Sequence, residues 1–333
     1  MYTRSFSDFV LFLGLILGLF LMPTVADVSC PSLAAKVNEP CTNVNGWEEF
    51  LMAVEQNTTD NEVVFCPFDV TKGLDDRTAE IMYSTSVICP TGQCIINGPG
   101  KHFEVYAAST LQGFIFRGAT TSSIWFLPDP GQSIICDCTF EFNDAGGIRG
   151  GGIRIGSNAN VTVEHSVFTN NTAHEGGAIY ITPKGFLTIT NSDFQNNQAE
   201  RGGAIYVSDE DSNLVANGNV FQNNNVESRD GTEPRGPAIY LEGSLDDYTT
   251  DYGNSGTDNG NCNGIYVDDN PCWPFLRSDS LNMPQTPTSG SPTGSPATTP
   301  TSGSPNHRSF SIVNSIIGFS ALSFCFVGPH LDL

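Results

Sequence analysis

Basic side chains are scarce in this chain. Its 333 residues carry 14 Lys and Arg against 36 Asp and Glu, a formal charge of −22. Nucleic acid is thereby excluded as a main partner, because phosphate binding needs clustered cations. A polybasic contact with a membrane surface is excluded on the same ground. Charged residues of both signs together reach only 15%, too few for a helix bundle built from Ala, Leu, Glu and Lys. With five His and no paired C-x-x-C set, a zinc centre lacks ligands. What the chain does have is enough apolar surface for a core (39% hydrophobic, 10% aromatic), 34 Gly and abundant Asn. That composition points to many short strands joined by turns.

Long apolar runs occur only at the two ends. Arg4 precedes an apolar stretch from Phe9 to Met22, followed by Pro23-Thr24-Val25-Ala26. This pattern predicts a secretory signal over residues 1–26, cut after Ala26. The run is too short to span a bilayer comfortably. Residues 284–308 are almost all Pro, Ser, Thr and Gly, ending in Asn306-His307-Arg308. No core can form there, and the composition suits an extended, O-glycosylated stalk. Residues 309–333 form an apolar tail. Small residues, a polar spacer and an apolar tail read as a signal for a glycosylphosphatidylinositol (GPI) anchor, with Gly294, Ser295, Ser302 and Gly303 as attachment points. A single-pass helix is the alternative. It is disfavoured because no Lys or Arg follows the tail. The expected location is therefore secreted, on a cell surface or wall, with a membrane attachment at the C-terminus.

Secretion fits the cysteines. Without the tail nine remain: Cys30, Cys41, Cys66, Cys89, Cys94, Cys136, Cys138, Cys262 and Cys272. They predict several disulfides and one thiol left over. Cys262 and Cys272 flank one Gly/Asn turn and are the expected pair. Cys136 and Cys138 are expected to bond other segments rather than each other. Glycosylation sequons stand at Asn57, Asn160 and Asn170.

A repeat is the most informative feature. Phe recurs at 140, 168, 194 and 221, and the first Gly of a second marker at 150, 176, 202 and 236. The last Gly spacing is longer because the fourth copy inserts residues around Glu227 to Glu233. A fixed period in the twenties marks a solenoid. Each copy holds three short β-like runs, and three strands per turn describe a parallel β-helix with coils about 4.8 Å apart. Alternation along each run assigns the inward columns. These are Val161, Leu187 and Leu214; Val163, Ile189 and Ala216; Phe140, Phe168, Phe194 and Phe221; Ile153, Ile179, Ile205 and Ile239; and Ile155, Ile181, Val207 and Leu241. Asn143, Asn171, Asn197 and Asn224 line up at a turn, where each amide can bond to the next. The Gly pair before each third run permits a sharp corner.

The paired markers read FTNN/GGAI at Phe168 and Gly176, and FQNN/GGAI at Phe194 and Gly202. They are degraded to FEFN/GGGI at Phe140 and Gly150 and to FQNN/GPAI at Phe221 and Gly236. This pattern resembles the repeats of the chlamydial polymorphic outer-membrane proteins and the wider right-handed β-helix, or pectin-lyase-like, superfamily. The resemblance covers residues 139–241 and implies an all-β, right-handed single-stranded parallel β-helix. It says little about function. Short apolar runs extend the helix back to residue 63, giving about seven coils. Trp47, Phe50, Leu51 and Val54 fall at helical spacing after an Asn, which predicts an N-terminal capping helix. The division read from these features is a cap over residues 27–62, the β-helix over 63–245, a disulfide-containing C-terminal cap over 246–283, then stalk and tail.

Tyr180, Tyr206 and Tyr240 share a column with Arg154 and alternate with inward Ile residues. They are expected to face outward as an aromatic stripe able to stack on sugar rings. Arg149, Glu175 and Arg201 share a turn column of alternating sign, and His174 and Glu200 a neighbouring one. Alternating sign suits a ladder of ion pairs between coils better than a catalytic set. Hydrolases of the fold cluster Asp residues as acid and base. The polygalacturonase-like NTD, GHG and RIK patterns are missing here. Asn259, Asn261, Asn263 and Gly264 loosely suggest a calcium loop but lack its Asp and Glu. No cofactor is expected, beyond weak Ca²⁺ binding by an acidic surface. The expected function is adhesion, cell-wall organisation, or binding of an extracellular polysaccharide or surface protein. The alternative is a polysaccharide lyase, hydrolase or epimerase.

Overall fold

The computed structural model describes residues 30–56, 62–209, 211–227, 235–242, 251–252, 254–257, 264–267 and 270–274. The secretory segment, Asn57, Cys262, most of the 259–264 turn, the stalk and the tail lie outside the described residues. Cys272 is described only in its backbone, so the expected Cys262–Cys272 pair lies outside them too.

Three parallel sheets wind into a solenoid, and each coil gives one strand to each sheet. The first coil supplies Glu62–Val64, Phe68–Thr71 and Ala79–Ile81. Seven such coils run to Leu241, and an eighth follows within residues 251–267. The first two sheets hold eight strands each. The third holds nine, its last strand, Asn270–Pro274, pairing antiparallel with Gly264–Val267.

Every predicted inward column is present. Val161 pairs with Leu187 and Leu187 with Leu214; Val163, Ile189 and Ala216 follow two residues on. All these residues are buried. The Phe140, Phe168, Phe194 and Phe221 rings stack at 4.8 Å between centroids and within 6° of parallel. That distance is the strand spacing itself, so the rings follow the backbone repeat without distortion. Burying each such side chain stabilises by about 1.5–3 kcal/mol.

A buried amide must be bonded, and the Asn column meets this along the coils. The Nδ2 of Asn143 donates to Asn171 Oδ1 (2.9 Å), Asn171 to Asn197 (3.0 Å) and Asn197 to Asn224 (2.9 Å). Each of the last three also donates to the carbonyl of a column Phe: Phe140, Phe168 and Phe194. A second ladder, unforeseen, lies between the first and second sheets. There Ser192 Oγ accepts from the Ser166 N–H, Asn219 Oδ1 from the Ser192 N–H and Asn254 Oδ1 from the Asn219 N–H.

The helix Trp47–Glu55 covers the open end of the core. It buries Trp47, Phe50, Leu51 and Val54, the four residues its periodicity selects. Phe50 sets its ring 5.2–5.7 Å from those of Phe65, Phe68 and Phe103. Trp47 Nε1–H donates to the Arg77 carbonyl (2.8 Å). Three disulfides join Cys30 to Cys136, Cys41 to Cys66 and Cys89 to Cys94. Cys136 thus bonds another segment as expected, but Cys138 does not. Asp137 has positive φ and turns the chain between them. Cys138 then points into the core as a free, buried thiol, which burial pushes up to about 12.

Candidate functional site

The tyrosine stripe is not a surface. Arg154, Tyr180, Tyr206, Tyr240 and Tyr266 do pair in register on the outer side of the third sheet. Yet Tyr180, Tyr206 and Tyr240 are each only 1% exposed. The reason lies in the corners. The linkers from the second to the third sheet lengthen from residues 98–102 and 118–123 to 142–152, 170–178 and 196–204. The longer corners fold back over the strand that follows. Gly150, Gly176 and Gly202 make this possible: their φ is +62 to +70°, and a Cβ there would lie 2.1–2.3 Å from the carbonyl oxygens of Ile153, Ile179 and Ile205. Alternation alone assigns the stripe to the outside and cannot see that the chain returns to cover it.

The corners are themselves stacked. Arg149 bridges to Glu175, Glu175 to Arg201, and Arg201 to Arg235. Glu175 is 1% exposed and takes an ion pair from each side: Arg149 Nε at 2.7 Å on Oε2, and Arg201 on Oε1. The guanidinium groups also lie over the covered rings, Arg149 4.9 Å from Tyr180 and Arg201 5.2 Å from Tyr206. This is the ion-pair ladder; Arg235 continues the column in register, its guanidinium 5.9 Å from the Tyr266 ring, at a position hidden from the sequence by the insertion before it. The neighbouring His174 and Glu200 lie 3.1 Å apart. Tyr206 donates to Glu242 (2.5 Å), and burial first, then this bond, raises its pKa. Arg154 ends the stack half-buried, 5.0 Å from the Trp125 ring; burial lowers its pKa. The tyrosine rings and Glu175 are closed into an outer core, and the Arg149, Arg201 and His174 side chains reach its surface.

An open groove lies on the first sheet, near the helix-capped end. Ser84, Thr85, Ser86, Ala108, Ser109, Thr110 and Gln132 line a shallow groove of about 240 Å³. Thr85 pairs with Ser109 and Ser86 with Thr110 one coil on. No charged side chain lines the groove, on a molecule carrying −22. Clefts that enclose whole drug-sized ligands measure roughly 300–1,000 Å³, so this groove suits side-on contact with part of a polymer. The chain leading into it carries exposed rings. Tyr83, next to Ser84, is 61% exposed, and Tyr106, two residues before Ala108, is 38% exposed. Tyr106 donates to Glu104 (3.1 Å), which holds its hydroxyl above the usual tyrosine range. The signal for this site was the hydroxyl-rich triplet Ser84-Thr85-Ser86 repeated as Ala108-Ser109-Thr110. It stands outside the four marked repeats and so escaped the column argument.

The chain belongs to the right-handed β-helix family: residues 107–273 match the family model described as the right handed beta helix region. No curated protein and no solved structure matches the chain. The family defines the scaffold, and function must be argued from the site. No helix among the described residues is long and apolar enough to cross a membrane.

Proposed function

We propose that this protein is a secreted, surface-anchored β-helix that binds a neutral extracellular polysaccharide side-on through the first-sheet groove. The observation that carries the proposal is the lining. Hydroxyls of Ser84, Ser86 and Thr110 and the amide of Gln132 offer donors and acceptors without charge, and exposed Tyr83 and Tyr106 supply rings for stacking. The strongly acidic surface repels polyanions, which favours a neutral polymer. The secretory pattern of residues 1–26, the stalk of 284–308 and the GPI-type tail support presentation at a surface. The likeness of the repeat markers to chlamydial surface proteins points the same way. Because the groove lining holds neither carboxylate nor guanidinium, the proposed activity is binding rather than cleavage.

The test is gel filtration of the protein with a panel of neutral and acidic polysaccharides, with and without Ca²⁺. Co-elution with a neutral polymer of unchanged size is expected, weakened about tenfold by Tyr83→Ala or Gln132→Ala, the effect of losing one stacking or hydrogen-bonded contact. A shortened polymer would favour the lyase, hydrolase or epimerase reading. No co-elution with any member would overturn the proposal and turn attention to a protein partner.

A further inference from the structure

Among the described residues, two phenylalanines are exposed: Phe142 at 57% and Phe186 at 42%. Every other described Phe is buried. Single exposed apolar side chains are ordinary on a protein surface; what sets these two rings apart is their position. Each of the two stands one coil away from a glycosylation sequon. Asn160 of Asn160-Val161-Thr162 is the register partner of Phe186, and Asn160 is itself exposed on the outer side of the first sheet. Asn170 of Asn170-Asn171-Thr172 follows Thr169, which pairs with Glu141, so Phe142 is its neighbour on the coil before. The Phe142 N–H donates to the Thr169 carbonyl (3.2 Å), and Phe142 and Asn170 share the same left-handed backbone, φ +55°.

Register partners on one face of a sheet hold their Cβ atoms about 5 Å apart. A sugar attached to the asparagine Nδ2 therefore begins beside the ring. The apolar C–H face of a pyranose stacks on an aromatic face as other apolar groups do. Asn160 is exposed and Asn170 half-buried. Asn170 Nδ2 uses one proton in a bond to Thr169 Oγ1 (3.1 Å), and the nitrogen keeps one proton after linkage to sugar. At the positions equivalent to Asn170 on the next two coils, Asn196 and Asn223, the sequence has no sequon, and no exposed Phe accompanies them.

We propose that Asn160 and Asn170 carry N-linked glycans whose first sugar packs on Phe186 and Phe142 respectively. The proposal rests on the secretory part of the function above, not on the groove. The test expresses the full chain in a secretory eukaryotic host. Site occupancy is read by mass spectrometry, and melting temperature is compared for the intact glycoprotein and for protein treated with an amidase that removes the whole glycan. Both sites are expected to be occupied. Removal is expected to lower the melting temperature by about 2 °C per site, the size of one stacking contact in a domain of this length. The shift at Asn160 should vanish in Phe186→Ala, and that at Asn170 in Phe142→Ala. Signal cleavage with empty sites would overturn the proposal while leaving secretion standing. Occupied sites whose removal has the same effect with and without the rings would overturn the stacking. Failure to enter the secretory route would refute the secretory reading itself, and loss of polysaccharide binding with occupied, ring-coupled glycans would count only against the groove.

Discussion

Acidification should unfold this protein in part through one imidazole. His102 is fully buried. Its Nε2 lies 3.0 Å from the Gly98 carbonyl oxygen, so that nitrogen carries the proton, and Nδ1 faces the Ser123 hydroxyl at 3.3 Å. Ser123 Oγ also lies 3.0 Å from Asn143 Oδ1, at the head of the asparagine ladder, so its one hydroxyl proton serves either that oxygen or Nδ1. Burial, joined by the Lys72 ammonium, lowers the His102 pKa from 6.5 to about 4 against the opposing pull of the Gly98 bond. An unfolded histidine takes up its proton near pH 6.5, the folded one only near 4. Between those values the unfolded state binds more protons, so stability falls as pH falls. The depression corresponds to about 3 kcal/mol lost by the acid end of the window. Chemical denaturation midpoints from pH 7.5 to 4 measure this, comparing the natural protein with His102→Gln, which keeps a donor for Gly98 but cannot titrate. The carboxylates titrate in both proteins and drop out of the difference. The natural protein is expected to lose about 3 kcal/mol more than the variant across the window. Parallel pH profiles would refute the reasoning.

Tyr206→Ala should destabilise by about 3–5 kcal/mol, as truncation of a buried aromatic does, while groove binding by the folded protein is unchanged; denaturation and the polysaccharide assay read the two separately. Asn197→Ala orphans the Phe168 carbonyl and the Asn171 amide donors, at about 1–3 kcal/mol for each buried group left unbonded, and denaturant midpoints check it. Replacing Cys30 and Cys136 together by Ala opens a loop of sequence separation 106. It should lower stability by about 2–4 kcal/mol, seen as a reduced midpoint without a change in the folded circular dichroism spectrum.

Much of the fold was legible because the coil repeats. Once Phe140, Phe168, Phe194 and Phe221 set the period, alternation placed five inward columns, and each is buried in register. The Asn ladder followed from the same count. What alternation cannot carry is the path of a corner. Tyr206 sits on the outer side of its strand, yet the chain around Gly202 folds over it. A positional rule sees neither that contact nor Arg235, displaced in the sequence by an insertion. Disulfides were legible only in part, since Cys138 is separated from Cys136 by a single residue whose left-handed turn sends it into the core. The groove lay in coils whose markers are too degraded to align, where only the spacing of Ser84-Thr85-Ser86 and Ala108-Ser109-Thr110 marked it.

The separation between a covered tyrosine stack and an open, tyrosine-flanked groove is tested most directly by nitration with tetranitromethane. The protein is reacted alone and with the co-eluting polysaccharide, and modified tyrosines are read by peptide mass spectrometry. The account predicts that Tyr83 and Tyr106 react in the free protein and are protected by the polymer, while Tyr180, Tyr206 and Tyr240 stay unmodified in both samples. Nitration of Tyr206 in the folded free protein, or protection by the polymer that leaves Tyr83 and Tyr106 reactive, would contradict it.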